Sequence, residues 1–336
     1  MAIRTGLIGY GRNGSTMHSD SIEASPLFEM AAVCDINTEA LEKAAKRFAC
    51  PTYTSYHTML QTEKLDLVVI VTPSNLHAQM ACNCLAAGVH VLVTKPWGLN
   101  GAEADAMVLA AKNSGKLLMP WLPARWGCDL TRLKKVIADG LLGEVFQVQR
   151  SEFTFGIRND WQIWAKNGGG YLLNWGPHLV DQPMQLVGGK VQQVFAVTKQ
   201  TINPGDVEDV FYAVMQMDNG VTITSEYNIS TAGSPNWIVR GTKGTAYMRG
   251  NNLQVDLVQF PSFIPENTYR CEVTVGSYTE TVKGDIYGNS AEVYAHIAEA
   301  VLGEKPYAIP LEQACALTGV LDAIRLSAGK GQSVAP

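Results

Sequence analysis

Apolar residues recur along this chain with two different periods, and the change from one to the other divides it. Up to about Met119, short apolar runs alternate with helical spacing. Ile3–Ile8 reads as a buried strand, Ser15–Ile22 as the start of a helix, and Glu29–Cys34 as a second strand. Thr38–Phe48 has helical spacing (Leu41, Ala44, Ala45, Phe48), with Asn37 or Thr38 as its cap. Leu65–Val71 is the kind of apolar run expected of a parallel strand covered on both faces. Thr72–Asn75 closes it, Leu76–Ala87 is helical up to Gly88, and Val89–Val93 is the next strand. A helix over Ala102–Lys112 and a short strand at Lys116–Met119 follow. Strands alternating with helices imply a parallel, doubly wound sheet with right-handed crossovers.

Beyond that point period-two alternation takes over. A helix at Leu130–Asp139 stops at Gly140. Alternating runs follow at Val145–Phe155, Val191–Val197, Phe211–Met217, Val221–Tyr227 and Ala246–Met248. Asp218–Asn219–Gly220 is a strong hairpin turn between two of them. These runs predict an antiparallel sheet. Two helices, Ala291–Leu302 and Leu311–Ala328, finish the chain. The expected fold is thus an α/β domain over 1–121 and an α+β domain over 122–336, whose last helix could pack back on the first.

The join between the first strand and first helix carries the most chemistry. Gly9–Tyr10–Gly11–Arg12–Asn13–Gly14 is G-x-G-x-x-G between strand and helix. Gly9 permits a tight turn, Gly11 lets the backbone approach a pyrophosphate, and Gly14 lets helix pack on strand. Free N–H groups at the helix start, with its positive dipole end, face the phosphates. The second strand ends in Asp35, 21 residues past Gly14, where a dinucleotide-binding fold places the acid that bonds the adenosine ribose. Asp35 would repel a 2′-phosphate, and Ile36 and Asn37 offer no cation to one, so the expected cofactor is NAD. NADP stays possible because Arg12 is a nearby cation.

Ligands of such sheets lie outside the carboxyl ends of the strands. The glycine turn, Asp35, Thr72–Asn75 and Lys95 all fall there and should share one crevice. Lys95, before Pro96, could bond a substrate hydroxyl and assist proton transfer. The second informative stretch is Gly168–Asp181. Pro177 lacks an N–H, which predicts it in a first helical turn, with Asn174 or Gly176 near the cap and His178 in the opening turn. Histidine, with an ordinary pKa of about 6.5, suits proton transfer at neutral pH. Asp181 could pair with His178. Six of the seven tryptophans lie between 97 and 175, and flat indole faces suit a sugar ring as well as a core. Arg125 and Arg158–Asn159–Asp160 stand among them. The remaining histidines read as structural: His18 and His77 in opening helix turns, His57 in a loop, His90 in a strand and His296 on a helix.

Bulk properties narrow the field further. The 336 residues are 46% hydrophobic and 17% charged, with a net charge of −5, so nothing favours nucleic acid or an anionic membrane. No apolar run reaches membrane-spanning length. The N-terminus enters strand one directly, leaving no room for a cleaved signal. Seven cysteines without a C-x-x-C pair point to reduced thiols in a cytoplasmic protein, with no metal site.

Gly9-x-Gly11-x-x-Gly14, Thr72-Pro73 with His77, His90-Val91 leading to Lys95-Pro96, and the glycine-rich segment ending at His178 together resemble the glucose–fructose oxidoreductase/inositol dehydrogenase (Gfo/Idh/MocA) family. Ile309-Pro310 before the last helix is also family-like, so the resemblance spans nearly the whole chain. It implies a Rossmann domain joined to a domain with a large open sheet through which dimers or tetramers form. It also implies NAD(P)-dependent redox chemistry at a sugar or cyclitol carbon. The cofactor side would comprise Gly9, Tyr10, Gly11, Arg12, Asn13, Gly14, Asp35, Ile36, Thr72, Pro73, Asn75, His77, Lys95 and Pro96. The substrate side would comprise Lys95, Trp97, Arg125, Trp161, Asn174 and His178. Lys95 keeps the lysine of the family's Glu-Lys-Pro motif, and His178 matches its acid–base histidine. Asn174 stands where the family usually has aspartate and cannot hold the charge that favours a protonated imidazole. Lys95 or His178 would take the hydroxyl proton as hydride leaves the carbon. Two other uses of such a fold are glycoside cleavage through transient sugar oxidation and non-catalytic sensing of a dinucleotide or sugar.

Overall fold

The computed structural model describes residues 2–231 and 233–336; Met1 and Ala232, one in each predicted domain, lie outside the described residues. The apolar runs of the first third become six parallel strands: β1 (Ile3–Ile8), β2 (Phe28–Cys34), β3 (Thr52–Tyr53), β4 (Leu67–Ile70), β5 (His90–Val93) and β6 (Leu118–Pro120). Their spatial order is β3-β2-β1-β4-β5-β6, every neighbouring pair parallel. The order in which the chain adds strands therefore reverses beside β1, and the crevice at that switch point is where such sheets take ligands. Its helices are α1 (Ser19–Ala24, preceded by a π-turn at Gly14–His18), α2 (Thr38–Phe48), α3 (Tyr56–Thr62), α4 (His77–Ala86) and α5 (Gly101–Ser114). Asn37 caps α2 by accepting from the Glu39 and Ala40 N–H groups. His57 lies in α3 rather than in a loop, because Ser55 caps a short helix whose one buried residue, Met59, leaves little periodic signal.

After α6 (Cys128–Ala138) the chain builds β7 (Val145–Phe153), α7 (Tyr171–Leu179), α8 (Asp181–Val187) and the strands β8 (Val191–Lys199), β9 (Val210–Met217), β10 (Thr222–Asn228), β11 (Trp237–Gly241), β12 (Gly244–Arg249), β13 (Asn252–Gln259) and β14 (Thr274–Thr281). Eight strands form one open sheet in the order β14-β13-β12-β11-β7-β10-β9-β8. All pairs are antiparallel except β7 with β10. The Asp218–Gly220 turn joins β9 to β10 as expected, with Gly220 at φ 85. The pattern alone left out β11, β13 and β14. The last of these is an edge strand, rich in threonine and exposed along most of its length, so no buried face marks it.

Helices α9 (Ser290–Val301) and α10 (Leu311–Lys330) return to the parallel sheet. Val293, Tyr294 and Ile297 of α9 are buried with Leu7, Val33 and Trp121. Along α10, Ala314 joins the core around β4 and β5, while Leu317, Leu321 and Ile324 join the core under the open sheet. Three polar contacts fix that seam: Trp97 Nε1 donates to Thr318 Oγ1 at 2.9 Å, the Gly101 N–H to Asp322 Oδ2 at 2.8 Å, and Arg325 to the Leu99 carbonyl at 2.5 Å. Trp97 is only 3% exposed and is thus a core residue facing α10, not a platform for substrate. Among the described residues no helix is long and apolar enough to cross a membrane, and no cluster of three or more His, Cys, Asp or Glu could hold a metal ion.

Candidate active site at the domain seam

The glycine turn adopts the geometry its spacing demands. Gly9 sits at φ 97, and a Cβ there would lie 2.6 Å from the Val71 carbonyl oxygen. A Cβ on Gly14 would lie 2.0 Å from the Gly9 carbonyl oxygen, so only glycine lets the helix start this close to β1. A Cβ on Gly11 would meet nothing within 4 Å. The floor above Gly11 is open, as a bound pyrophosphate needs. Asp35 braces the turn: Oδ2 accepts from the Tyr10 N–H at 2.6 Å and Oδ1 from the Asn37 N–H at 2.8 Å. Tyr10 itself is buried edge-on against Phe48. Gly11, Arg12 and Asn13 are exposed, as are Asn75 and Ile36, the last at 91%. Thr72 and Pro73 are half-buried beside them. These residues fit a dinucleotide: an open backbone cradle, a carboxylate at the ribose end and an uncovered apolar side chain next to it.

His77 is not part of that surface. It is 1% exposed, and its two ring nitrogens lie 2.7 Å from the Pro96 carbonyl oxygen and 2.9 Å from that of Thr72. A neutral ring can donate to only one of them. Burial holds its pKa below the ordinary histidine value. His77 thus ties the loop after β4 to the loop after β5, and so shapes the crevice from behind. The Lys95–Pro96 bond in that second loop is cis.

The other wall comes from α7. Gly170, at φ 104, begins the helix, and Glu208 caps it: its carbonyl accepts the Tyr171 N–H at 3.1 Å and its Oε1 the Leu172 N–H at 3.0 Å. The helix therefore starts at Tyr171, six residues before Pro177. Pro177 lies inside it, and His178 stands in its last turn, not its first. The proline ring is tolerated because the helix ends two residues later, so one lost intrahelical bond is close to the terminus. Asn174 is consequently a mid-helix residue, one turn before His178 on the same face. It does not cap the helix.

Lys95 reaches that face from the end of β5. Its Nζ donates to Asn174 Oδ1 at 2.7 Å and to the Asn174 carbonyl oxygen at 2.5 Å. Both acceptors are neutral. Burial lowers the Lys95 pKa to about 7, and the nearby cations Arg158 and Arg12 push in the same direction. His178, 8% exposed, is held well below its ordinary value by burial and then by Lys95 and Arg150. Its Nδ1 has no hydrogen-bond partner among the described residues. Asp181 does not serve it. A break at Val180 separates α7 from α8, and Asp181 instead takes Arg125 in a two-point pair at 2.8 and 2.7 Å. Arg125 Nη1 donates to Gln313 at 2.5 Å, so this arginine fastens α8 to α10 rather than presenting a free fork to substrate. Trp161 is half-buried in a short turn next to Asp160.

Several neighbours of His178 were not singled out from sequence. Tyr227 stacks between Tyr171 (4.5 Å) and Trp175 (5.2 Å), and Tyr287 lies 5.6 Å from the His178 ring. The Tyr287 hydroxyl donates to Glu152 at 3.0 Å. Arg150 is fully buried, with Nε donating to Gln182 at 2.9 Å and its guanidinium 5.0 Å from the Trp237 ring. Its signal was available: an arginine two residues after Val148 occupies an inward position of an alternating strand, which is unusual for a charge. The two tyrosines had no such mark.

Comparison with known proteins places the fold. A model of an oxidoreductase family with an NAD-binding Rossmann fold matches residues 3–121, and a model of the GFO/IDH/MocA C-terminal domain matches residues 130–247. The chain is similar to the uncharacterized oxidoreductase YdgJ of Escherichia coli (strain K12), 29% identical over 324 residues, which span 93% of this chain and 92% of that one. It is 23% identical to the scyllo-inositol 2-dehydrogenase (NADP(+)) IolW of Bacillus subtilis (strain 168), over 99% of this chain and 95% of that one. A solved NAD-binding protein from Listeria innocua superposes with a TM-score of 0.86 at 25% identity, covering 100% of this chain and 97% of its own.

The middle and last glycines of the fingerprint are constrained differently, and substitution separates them. Gly14→Ala should lower the melting temperature by several degrees or prevent folding, since its Cβ would collide with the Gly9 carbonyl. Gly11→Ala should melt like the parent and lose affinity only for the dinucleotide, read by NADH fluorescence titration. Equal destabilisation by both changes, or unchanged NADH affinity in Gly11→Ala, would contradict this assignment.

Proposed function

This chain belongs to the GFO/IDH/MocA oxidoreductase family, with an NAD-binding Rossmann domain, and we propose that it is an NAD-dependent dehydrogenase of a sugar, sugar derivative or cyclitol. The observation that carries the reading is the Lys95 amine, set between two neutral oxygens of Asn174 with a pKa of about 7. An amine that is part neutral at physiological pH is an effective general base.

Bound dinucleotide would supply the hydride acceptor; the turn at Gly9–Gly14, with Asp35 and Ile36, would hold it. NAD is favoured over NADP. Asp35 would repel a 2′-phosphate, and Ile36 and Asn37 beside it offer no cation to one. Lys95 takes the proton from the carbinol hydroxyl in oxidation and returns it to the carbonyl oxygen in reduction. His178 stays neutral throughout and orients the same hydroxyl through its imidazole. Asn174 holds the Lys95 amine in place without a negative charge that would keep it protonated. Half-buried Trp175, backed by the buried rings of Tyr227 and Tyr171, offers an aromatic face suited to the C–H face of a ring substrate. The relative that acts on scyllo-inositol supports a polyhydroxylated ring as substrate.

The expected partner, besides substrate, is another copy of this chain. The face of the open sheet away from the helices exposes Phe195, Val197 and Tyr212, and cross-strand pairing sets Phe195 against Val214 and Val197 against Tyr212. Such a contiguous apolar patch is the candidate dimer or tetramer interface. Sedimentation velocity should show an oligomer that Tyr212→Asp weakens; a monomer at micromolar concentration would remove this reading.

A panel of sugars, sugar acids and cyclitols with NAD⁺ and NADP⁺, followed by reduced-nicotinamide absorbance, tests the activity. For the substrate found, kcat/KM for oxidation should rise with pH through about 7 as Lys95 loses its proton, and the reduction direction should fall over the same range. Asn174→Asp puts a carboxylate against Nζ, raises the amine's pKa and should move both limbs to higher pH. Lys95→Ala should cost about 10²–10⁴ in kcat. Undiminished turnover in Lys95→Ala, across the whole panel, would end the proposal.

A further inference from the structure

The imidazole that would meet the substrate is held differently from the other buried histidines. His77 sits between two carbonyl oxygens at 2.7 and 2.9 Å, and His18 Nδ1 lies 2.9 Å from the Tyr294 hydroxyl. His178 has no such tie. No hydrogen bond to a described residue holds its ring, and its Nδ1 is buried without a partner. A histidine that works on a substrate is ordinarily oriented by the bond its second nitrogen makes. Here packing holds the ring. Its aromatic neighbours are Trp175, earlier on α7, with centroids 6.1 Å apart, and Tyr287 at 5.6 Å. Trp175 and Tyr287 also meet, at 5.6 Å and 64°, so the rings close a triangle. Trp175 shares a helix with His178; only Tyr287 ties that triangle to the rest of the domain through a hydrogen bond.

Tyr287 is fixed at both ends. Its backbone lies between β14 and α9, where neighbouring contacts leave little freedom. The Asp285 carbonyl accepts the Cys128 N–H at 3.0 Å, and the Gly284 carbonyl accepts from Asn251 Nδ2 at 2.8 Å. Gly288, at φ 80, packs so close to Pro123 that a Cβ would lie 2.2 Å from the proline carbonyl oxygen. At the other end, the Tyr287 hydroxyl donates to Glu152 Oε2 at 3.0 Å. The same oxygen accepts from Asn236 Nδ2 at 3.1 Å and lies 3.8 Å from Arg150 Nη1. Asn236 is pinned in turn: its N–H donates to the Met248 carbonyl at 2.7 Å, and its Oδ1 accepts the Gly250 N–H at 2.8 Å. A phenol donating to a carboxylate makes a charge-assisted bond, stronger than one between neutral groups. The open sheet therefore reaches the His178 ring through Glu152 and then Tyr287.

We infer that Glu152 and Tyr287 are positioning residues that hold the His178 imidazole at the angle from which it meets the substrate hydroxyl. The inference rests on the dehydrogenase reading for what His178 does and adds how that ring is aimed. Tyr287 acts by ring contact and Glu152 acts through Tyr287, so neither has to touch substrate. A rotated imidazole carries its nitrogen off the hydroxyl, and misplacement of that kind lowers rate more than affinity.

The test reads the ring directly. Labelling histidine at Cε1 with carbon-13 gives six signals, one for each histidine, and His178→Gln assigns that of His178. Tyr287→Phe keeps the aromatic ring and removes its tie to Glu152. It should shift or broaden the His178 signal, leave the other histidine signals in place and leave the melting temperature near the parent's. For a substrate found in the panel, kcat should fall about ten-fold with KM and NADH affinity unchanged. Glu152→Gln retains an oxygen for the phenol and should keep most of kcat, whereas Glu152→Leu should match Tyr287→Phe. A His178 signal that stays put in Tyr287→Phe overturns the inference. So does an unchanged kcat, or a change spread over every histidine signal, which would mark Tyr287 as packing alone. A parent that turns over nothing in the panel would remove the dehydrogenase reading, and the His178 signal would still show whether Glu152 and Tyr287 aim the ring.

Discussion

One contact across the seam organises the functional end of this molecule: a lysine amine from the parallel sheet resting on an asparagine from the helix that covers the open sheet. Neither acceptor oxygen carries charge. In most partly buried settings a lysine at such a position would find a carboxylate and stay an ammonium. Here burial and two arginines work against the charge and no carboxylate opposes them, so the amine is brought to a pKa useful for proton transfer. The asparagine is therefore a positive feature of the site. It positions the amine as an aspartate would, and it leaves out the charge that would lock the proton on.

That contact depends on two structures far apart in sequence being held in register. On one side, His77 fixes the carbonyl that follows Lys95. On the other, Gly170 and Glu208 set where α7 begins, which decides that Asn174 and His178 share a face. The two sides are joined by α10, whose Thr318, Asp322 and Arg325 bond to the 97–101 loop just beyond Lys95. Loosening that helix would separate the amine from its acceptor before either sheet came apart. This gives a physical reason for the last twenty-residue helix to bury part of its surface in each core.

The turn of the cofactor half was largely legible in the sequence, because Gly9 and Gly14 each answer a local steric demand that spacing records. The parallel strands were legible because strands covered on both faces are almost wholly apolar. The substrate half was less so. Pro177 suggested a first turn, but the start of α7 is set by the backbone of Gly170 and by Glu208, which lies far along the chain. Asp181 was within helical reach of His178 on paper, yet the break at Val180 turned it toward Arg125. Trp97 carries the same indole as Trp175; only tertiary contact put one in a core and the other against Tyr227.

The central claim is that the Lys95 amine ionises near neutrality, and it can be measured without any knowledge of the substrate. Trace labelling of the folded protein with isotopic acetic anhydride across a pH series, followed by mass spectrometry of the peptide containing Lys95, yields the titration of that amine alone. The account predicts half-maximal reactivity near pH 7. A midpoint near the ordinary lysine value of 10.5, in protein that remains folded, would contradict it.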